Sequence, residues 1–432
     1  NILKKVLIIT YYWPPAGGSG VQRWLKFVKY LPEFGVEPYI LTVKPEKASY
    51  PVLDESLLQD VPEDLNIFYS NIIDANNIYA AIFGKKVPYG SISKNEKKSF
   101  VGKLSSFIRA NVFVPDSRML WHLHAKPKAL EIINQFDIDT VVTTGPPQST
   151  HFVGLKLKKA LPDLKWVVDF RDPWTKSFIN DFLDRTKRTI KKDQQNEQKV
   201  LQLADEIILV SKGMKDDFSI PLKNFHTIYN GYDENDFINV HQNKNNAKFS
   251  INYVGTFKDN QYFDSVWDAL EELMKEIPEI ADDLEINFAG IVNPLFKEKI
   301  TKYSFKNKIN YIGYVSHRQA IEYMVSASLL FFPIPQTEYN HNIITGKIFE
   351  YLASASPILA IGPPNGIAAE ILAECERKSM IEYQNKEAIK KQILEEYQYW
   401  KANGNRKVKN NLHQKYSRKN QTKALTEILK KK

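Results

Sequence analysis

The sequence predicts an α/β protein built from two doubly wound, Rossmann-like domains, and three observations carry that prediction. The chain has 432 residues, and domains commonly run to roughly 100–200 residues, so two are expected. Short apolar, β-branched or aromatic runs recur along it, each followed by a longer stretch with helical spacing. The runs fall into two successive sets on either side of residues 239–248, which are rich in Asn and Lys and nearly devoid of apolar side chains.

In the first half the runs are residues 6–10, 39–43, 140–144, 166–170, 206–210 and 226–229. In the second half they are 251–254, 285–289, 309–312, 329–333, 357–361 and 380–383. Continuous apolar runs suit strands covered on both faces, as in parallel sheets. Alternation with helices implies βαβ units, whose ligands gather at the carboxyl ends of the strands. The expected domains are therefore residues 1–240 and 249–411, with a final helix at 412–432.

Composition narrows the class. Hydrophobic residues make up 43% and charged residues 25%, ordinary values for a globular protein. No apolar run approaches the roughly 18–20 residues of a membrane span, and residues 1–10 read as a strand rather than a secretory signal. A single cysteine, Cys375, excludes an intramolecular disulfide and a cysteine metal cage. These features fit the cytoplasm. The net charge of +9 favours anionic partners: nucleic acid, acidic lipid or phosphorylated small molecules. No nucleic-acid reading motif with interleaved basic and aromatic residues accompanies that charge, so no nucleic-acid partner is expected.

Residues 76–118 interrupt the βα rhythm. Phe100, Val101, Leu104, Phe107, Ile108 and Val112 share one helical stripe, flanked by Lys97, Lys98, Lys103 and Arg109. Such a helix either packs on the first domain or lies on an anionic membrane.

Polar motifs follow several of the strand runs. After the first comes Pro14-Pro15-Ala16-Gly17-Gly18-Ser19-Gly20, then a helix. Gly17 and Gly18 let the backbone approach a ligand, and a helix start attracts an anion. Arg23 stands where a dinucleotide fingerprint wants its third glycine, which argues against NAD. Thr144-Gly145-Pro146-Pro147-Gln148-Ser149 precedes a helix that begins at His151, which is either a satisfied structural residue, the commoner role of a lone His at a helix start, or a candidate catalytic one. Asp169-Phe170-Arg171-Asp172-Pro173-Trp174 ends another strand. There Arg171 suits an anion, Asp172 suits sugar hydroxyls or catalysis, and Trp174 suits acceptor contact. Alternatively, Asp169 and Arg171 tie the loop together.

In the second half, Thr345-Gly346-Lys347-Ile348-Phe349-Glu350 opens a helix. Lys347 and Glu350 are three apart and share a face. Near the helix start, Gly346 and Lys347 suit a diphosphate, and Glu350, one turn deeper, suits two ribose hydroxyls. A surface ion pair is the alternative. Asp137-Ile138-Asp139 precedes a strand rather than following one, so it is not expected to bind metal.

Together with Asn230-Gly231, Val254-Gly255-Thr256-Phe257 and Gly346-Lys347-Ile348-Phe349-Glu350-Tyr351-Leu352, these segments resemble retaining glycosyltransferase family 4, in the bacterial branch with a DFRDPW segment. The resemblance implies a GT-B fold, two Rossmann-like domains facing a central cleft. It implies transfer of a sugar, with retention and without a metal or other cofactor, from a nucleotide-sugar donor held mainly by the second domain. UDP is the preferred nucleotide. The acceptor, held mainly by the first domain, is expected to be lipid-linked or a surface polysaccharide at the inner face of the plasma membrane. The final helix is expected to cross back to the first domain. Glu350 matches the family's ribose ligand. Asn342 replaces the family's first Glu, and Thr256 replaces its Arg beside Gly255. Lys258 lies nearby, and diphosphate binding then leans on Lys347. A nucleotide-sugar hydrolase or epimerase is the alternative reading.

Overall fold

A computed structural model of the chain describes residues 3–74, 107, 110–176, 183–238, 240, 247–338 and 340–431. Its first sheet contains β1 (Lys4–Ile9), β2 (Val36–Val43), β3 (Asn66–Ser70), β4 (Thr140–Gly145), β5 (Lys165–Phe170), β6 (Glu206–Leu209) and β7 (Phe225–Thr227), in the order β3-β2-β1-β4-β5-β6-β7. Each of these pairings is parallel. Both faces are covered, which is why the strands read as unbroken apolar runs. Val6 and Ile8 pack with Trp24, Leu25 and Val28 of the helix Ser19–Tyr30. Leu7 and Ile9 point the other way, into a layer with Ile132 of the helix His122–Phe136 and Leu157 of the helix His151–Ala160.

The second sheet contains β8 (Phe249–Val254), β9 (Leu284–Ala289), β10 (Ile309–Gly313), β11 (Leu329–Pro333) and β12 (Ile358–Ile361), in the order β10-β9-β8-β11-β12. It too is parallel. Phe249, Ile251 and Phe331 pack with Trp267 and Leu270 of the helix Asp264–Glu276 and with Ile393 of the helix Lys386–Asn403.

The chain divides into two compact units. Unit 1 is Asn1–Asn230 with Gln421–Lys432, and unit 2 is Gly231–Asn420. The division thus falls ahead of the polar stretch at 239–248, most of which lies outside the described residues. Leu425, Ile428 and Leu429 of the last helix belong to the core of unit 1.

Two expectations about strands need correction. The sequence reading missed β3, an edge strand of unit 1 whose residues are mostly half-buried and so lack a continuous apolar signal. Residues 380–383 form no strand. Ile381 makes one parallel bridge to Ile361, after which a turn closed by Asn385 N–H donating to Glu382 O (3.1 Å) leads into the helix Lys386–Asn403.

Among the described residues no helix is long and apolar enough to cross a membrane. The basic apolar stripe lies largely outside the described residues. Of its members Phe107 and Val112 are described, and both are exposed.

Candidate functional site

In each sheet the strand order reverses beside the first strand of its unit, at β1/β4 and at β8/β11. Crevices open at the carboxyl ends of strands at such switch points. The motif loops after β1, β4 and β8 stand there.

In unit 1 a dense polar network holds these loops. Asp169, on β5, is fully buried and accepts from Arg23 (2.8 Å to Nη2), from the Trp24 indole N–H (2.7 Å) and from the Thr144 hydroxyl (2.8 Å). Despite burial, Arg23 and these donors hold its carboxyl below the usual range. Arg23 also donates to Ile228 O (2.9 Å) and Asn230 Oδ1 (3.1 Å). The residue standing where a dinucleotide motif wants glycine is thus the counterion that fastens the first helix to the sheet, a role the sequence reading missed.

Arg171 is committed to backbone carbonyls. Its guanidinium donates to Gly20 O, Gly145 O and Pro146 O, clipping the β1 and β4 loops together. Gly20 leaves room for it, since a Cβ there would strike the guanidinium. Of the two readings of Arg171, the structure displays the tie. Gly17 packs on the segment around Val52 and Asp54. Gly18, at φ +96°, opens the helix, and no atom of another described residue lies within 4 Å of where a Cβ would stand.

His151 is fully buried. Its Nδ1 is 2.9 Å from Thr143 Oγ1, and its ring packs on Phe170 and Trp174. Burial pushes its pKa down to about 3, so the imidazole is neutral at physiological pH. Trp174 is also buried, with its indole N–H donated to Asp193 (2.9 Å). Both are core side chains in this structure. Asp172 differs: it is exposed, and its carboxylate accepts no hydrogen bond from a described residue. Desolvation by the surrounding loops raises its pKa, and Arg171 opposes that shift.

Asp139 of the rejected acidic pair is tied to Lys4 and Thr140. Among the described residues no three His, Cys, Asp or Glu side chains gather in a metal-holding group.

In unit 2 the helix Lys347–Ala353 brings two sequence-predicted residues to the end of β8. Lys347 Nζ donates to the Tyr253 hydroxyl (2.8 Å) and lies 4.6 Å from that ring's centre. Its stem covers Gly255, whose φ of +114° and missing Cβ make the approach possible. Burial, aided by Lys258, pushes the Lys347 pKa down to about 8, with Glu350 opposing. Thr256, Lys258, Asn342 and Gly346 are exposed. Glu350 is partly buried, and its carboxylate accepts no hydrogen bond from a described residue. Its pKa is raised by desolvation, and His317 and Arg418 pull it back. The neighbour it does have, His317 at 3.8 Å, was not foreseen from sequence. Unit 2 therefore offers a cation with lowered proton affinity and an open carboxylate on one helix face.

No protein-family model matches this chain. No curated protein matches it in sequence. Solved structures do match in shape. A glycosyltransferase from Rickettsia africae superposes with a TM-score of 0.60 at 14% identity, over 99% of this chain and 98% of the other. The fold is GT-B. Another GT-B neighbour, Anabaena HepE in complex with UDP-glucose, has a TM-score of 0.53 at 14% identity, over 98% of this chain and 99% of its own. The E. coli trehalose-6-phosphate structure bound with UDP-2-fluoro glucose has a TM-score of 0.60 at 10% identity and 99% coverage of both chains. At these identities the likeness establishes the GT-B architecture.

Proposed function

We propose that this GT-B protein is a retaining, metal-independent glycosyltransferase that takes a sugar from a UDP-sugar. The observation that carries the reading is the pair on one helix of unit 2. Lys347 is a cation whose charge is disfavoured until an anion arrives, and Glu350 is a carboxylate with no hydrogen-bond donor among the described residues. A diphosphate suits the first and a vicinal diol the second, and a nucleotide sugar carries both. Two similar structures hold UDP-sugars, which supports uridine as the base. In this reading Gly255, Thr256, Lys258 and Gly346 surround the diphosphate, and Asn342 faces the donor sugar.

In the proposed reaction the bond from the anomeric carbon to the diphosphate oxygen breaks, and an acceptor hydroxyl bonds to that carbon on the same face. The hydroxyl proton passes to the departing phosphate. Lys347 meets the growing charge on the leaving group, which stabilises the transition state more than the ground state. For unit 1 we propose, separately, that Asp172 is an acceptor contact. We place the acceptor among lipid-linked or surface polysaccharides at the inner membrane face; the net charge of +9 supports an anionic setting. The deciding experiment is titration calorimetry with UDP and GDP, followed by transfer assays with UDP-sugars and membrane-extracted acceptors. Failure to bind either nucleotide would overturn the reading.

A further inference from the structure

Asp236, His317 and Glu350 converge within unit 2 from three separate segments. Asp236 lies in the turn Glu234–Phe237, which starts at Asp233 with a side-chain cap on Asn235 N–H (3.2 Å). His317 is the first residue of the helix His317–Ser326, whose start is fixed by a reciprocal pair of bonds between Ser316 and Gln319. Glu350 comes from the helix Lys347–Ala353. His317 Nε2 is 3.1 Å from Asp236 Oδ2 and 3.8 Å from Glu350 Oε1. Ionised carboxylates only accept hydrogen bonds, so the nitrogen facing both must carry the proton. The N–H is donated to Asp236, and Glu350 stands at ion-pair distance with its acceptor capacity unspent.

We propose that His317 is a positioning residue for nucleotide binding: anchored by Asp236, it holds Glu350 ionised and aimed for the ribose diol. This rests on the donor-site reading of Glu350 above. Electrostatics supports it. The charged groups acting on Glu350 are His317, Arg418 and Lys347, which favour its ionised form, and Asp236, which opposes it. Without the imidazole, Asp236 and burial both act against the Glu350 charge, and a protonated carboxyl is a poorer acceptor for two hydroxyls.

The test is UDP titration of the full chain between pH 5 and 8.5, comparing wild type, His317→Ala, His317→Gln and the double variant His317→Ala/Asp236→Asn. Thermal melts serve as a folding control. His317→Ala is expected to weaken UDP binding about tenfold near neutral pH, the size of one charge-assisted contact. It should also move the acid limb of the affinity profile to higher pH. His317→Gln should recover part of the loss by restoring an N–H donor. Asp236→Asn should rescue the alanine variant by removing the opposing charge, a result that simple damage to the fold would not give. A His317→Ala protein that binds UDP like wild type, or one that the second substitution fails to rescue, would overturn the proposal while leaving the donor-site reading intact. If wild type binds UDP but Glu350→Ala binds it equally well, the reading of Glu350 fails and this inference fails with it.

Discussion

Lys347 donates to the Tyr253 hydroxyl at 2.8 Å, and that phenol in turn donates to Thr256 O at 2.8 Å. The cation is thereby held by a neutral acceptor; desolvation, aided by the nearby Lys258 and opposed by Glu350, lowers its pKa to about 8. The depressed value means that the charged form is costly in the free protein and is lost as pH rises through about 8. An incoming diphosphate favours that charge, so binding should take up protons around pH 8, and UDP affinity should decline above it. Calorimetry in buffers of different ionisation enthalpy measures the uptake. Lys347→Ala should abolish the uptake and lower both affinity and turnover. Proton uptake unchanged in that variant would show that Lys347 does not meet the diphosphate.

Glu350 should discriminate ribose from deoxyribose. Hydrogen bonds to a charged group contribute about 1.5–3 kcal/mol, so Glu350→Ala should weaken UDP binding by about tenfold or more. The 2′-deoxy nucleotide should bind wild type more weakly than UDP, and the variant should no longer tell the two apart. Because desolvation raises the Glu350 pKa, affinity should also fall on acidification as the carboxyl takes up its proton. Equal affinity of wild type for the ribo and deoxy forms would remove the diol from the site.

Asp169 and Asp172 stand three positions apart in one motif yet should fail in different ways. Asp169 is the buried counterion of Arg23, and breaking a buried pair typically costs ~3–5 kcal/mol. Asp169→Asn and Arg23→Ala should therefore shift the urea midpoint strongly. Asp172→Asn should leave stability near wild type but lower turnover by roughly 10²-fold, the scale of a lost acid–base or orienting group, with little change in UDP affinity. Turnover unaffected by Asp172→Asn would make Asp172 a loop residue.

Activity should survive chelation. Lys347 and Lys258 supply the positive charge near the proposed leaving group. Turnover measured with EDTA should match that without it. Loss of activity, restored by magnesium or manganese, would replace the proposed electrostatics with a metal.

The strands were legible in sequence where both faces are covered, as in β1, where Leu7 and Ile9 face one layer and Val6 and Ile8 the other. Edge position hid β3, whose half-buried residues look like loop. Lys347 and Glu350 were legible because three-residue spacing on a helix fixes a shared face. Tyr253 and His317 were not, because they reach that face from strands and helices 94 and 33 positions away, and pairings at such range leave no local pattern. Arg171 and Trp174 looked functional because polar and aromatic residues at a strand end suit ligands, yet the same chemistry satisfies buried carbonyls and carboxylates. Only the location of Gly20 O, Pro146 O and Asp193 distinguishes the uses.

Tyr232 and Ser417 form a parallel bridge, with Tyr232 N–H donating to Tyr416 O (3.2 Å) and Arg418 N–H donating to Tyr232 O (2.7 Å). Here the outgoing and returning lengths of polypeptide run side by side, so unit 2 is topologically an insertion within unit 1 rather than the second bead on a string. One protease cut at residues 239–248 would give two fragments with no covalent link, the second carrying both unit 2 and the last helix of unit 1, and the packing of Leu425, Ile428 and Leu429 would hold that helix on the first fragment. A fragment stopped at residue 230 would lack Leu425, Ile428 and Leu429 and expose the apolar surface they cover. An isolated unit 1 would have to be made by splicing residue 230 to residue 421, and unit 2 could in principle be exchanged as a cassette between those two points.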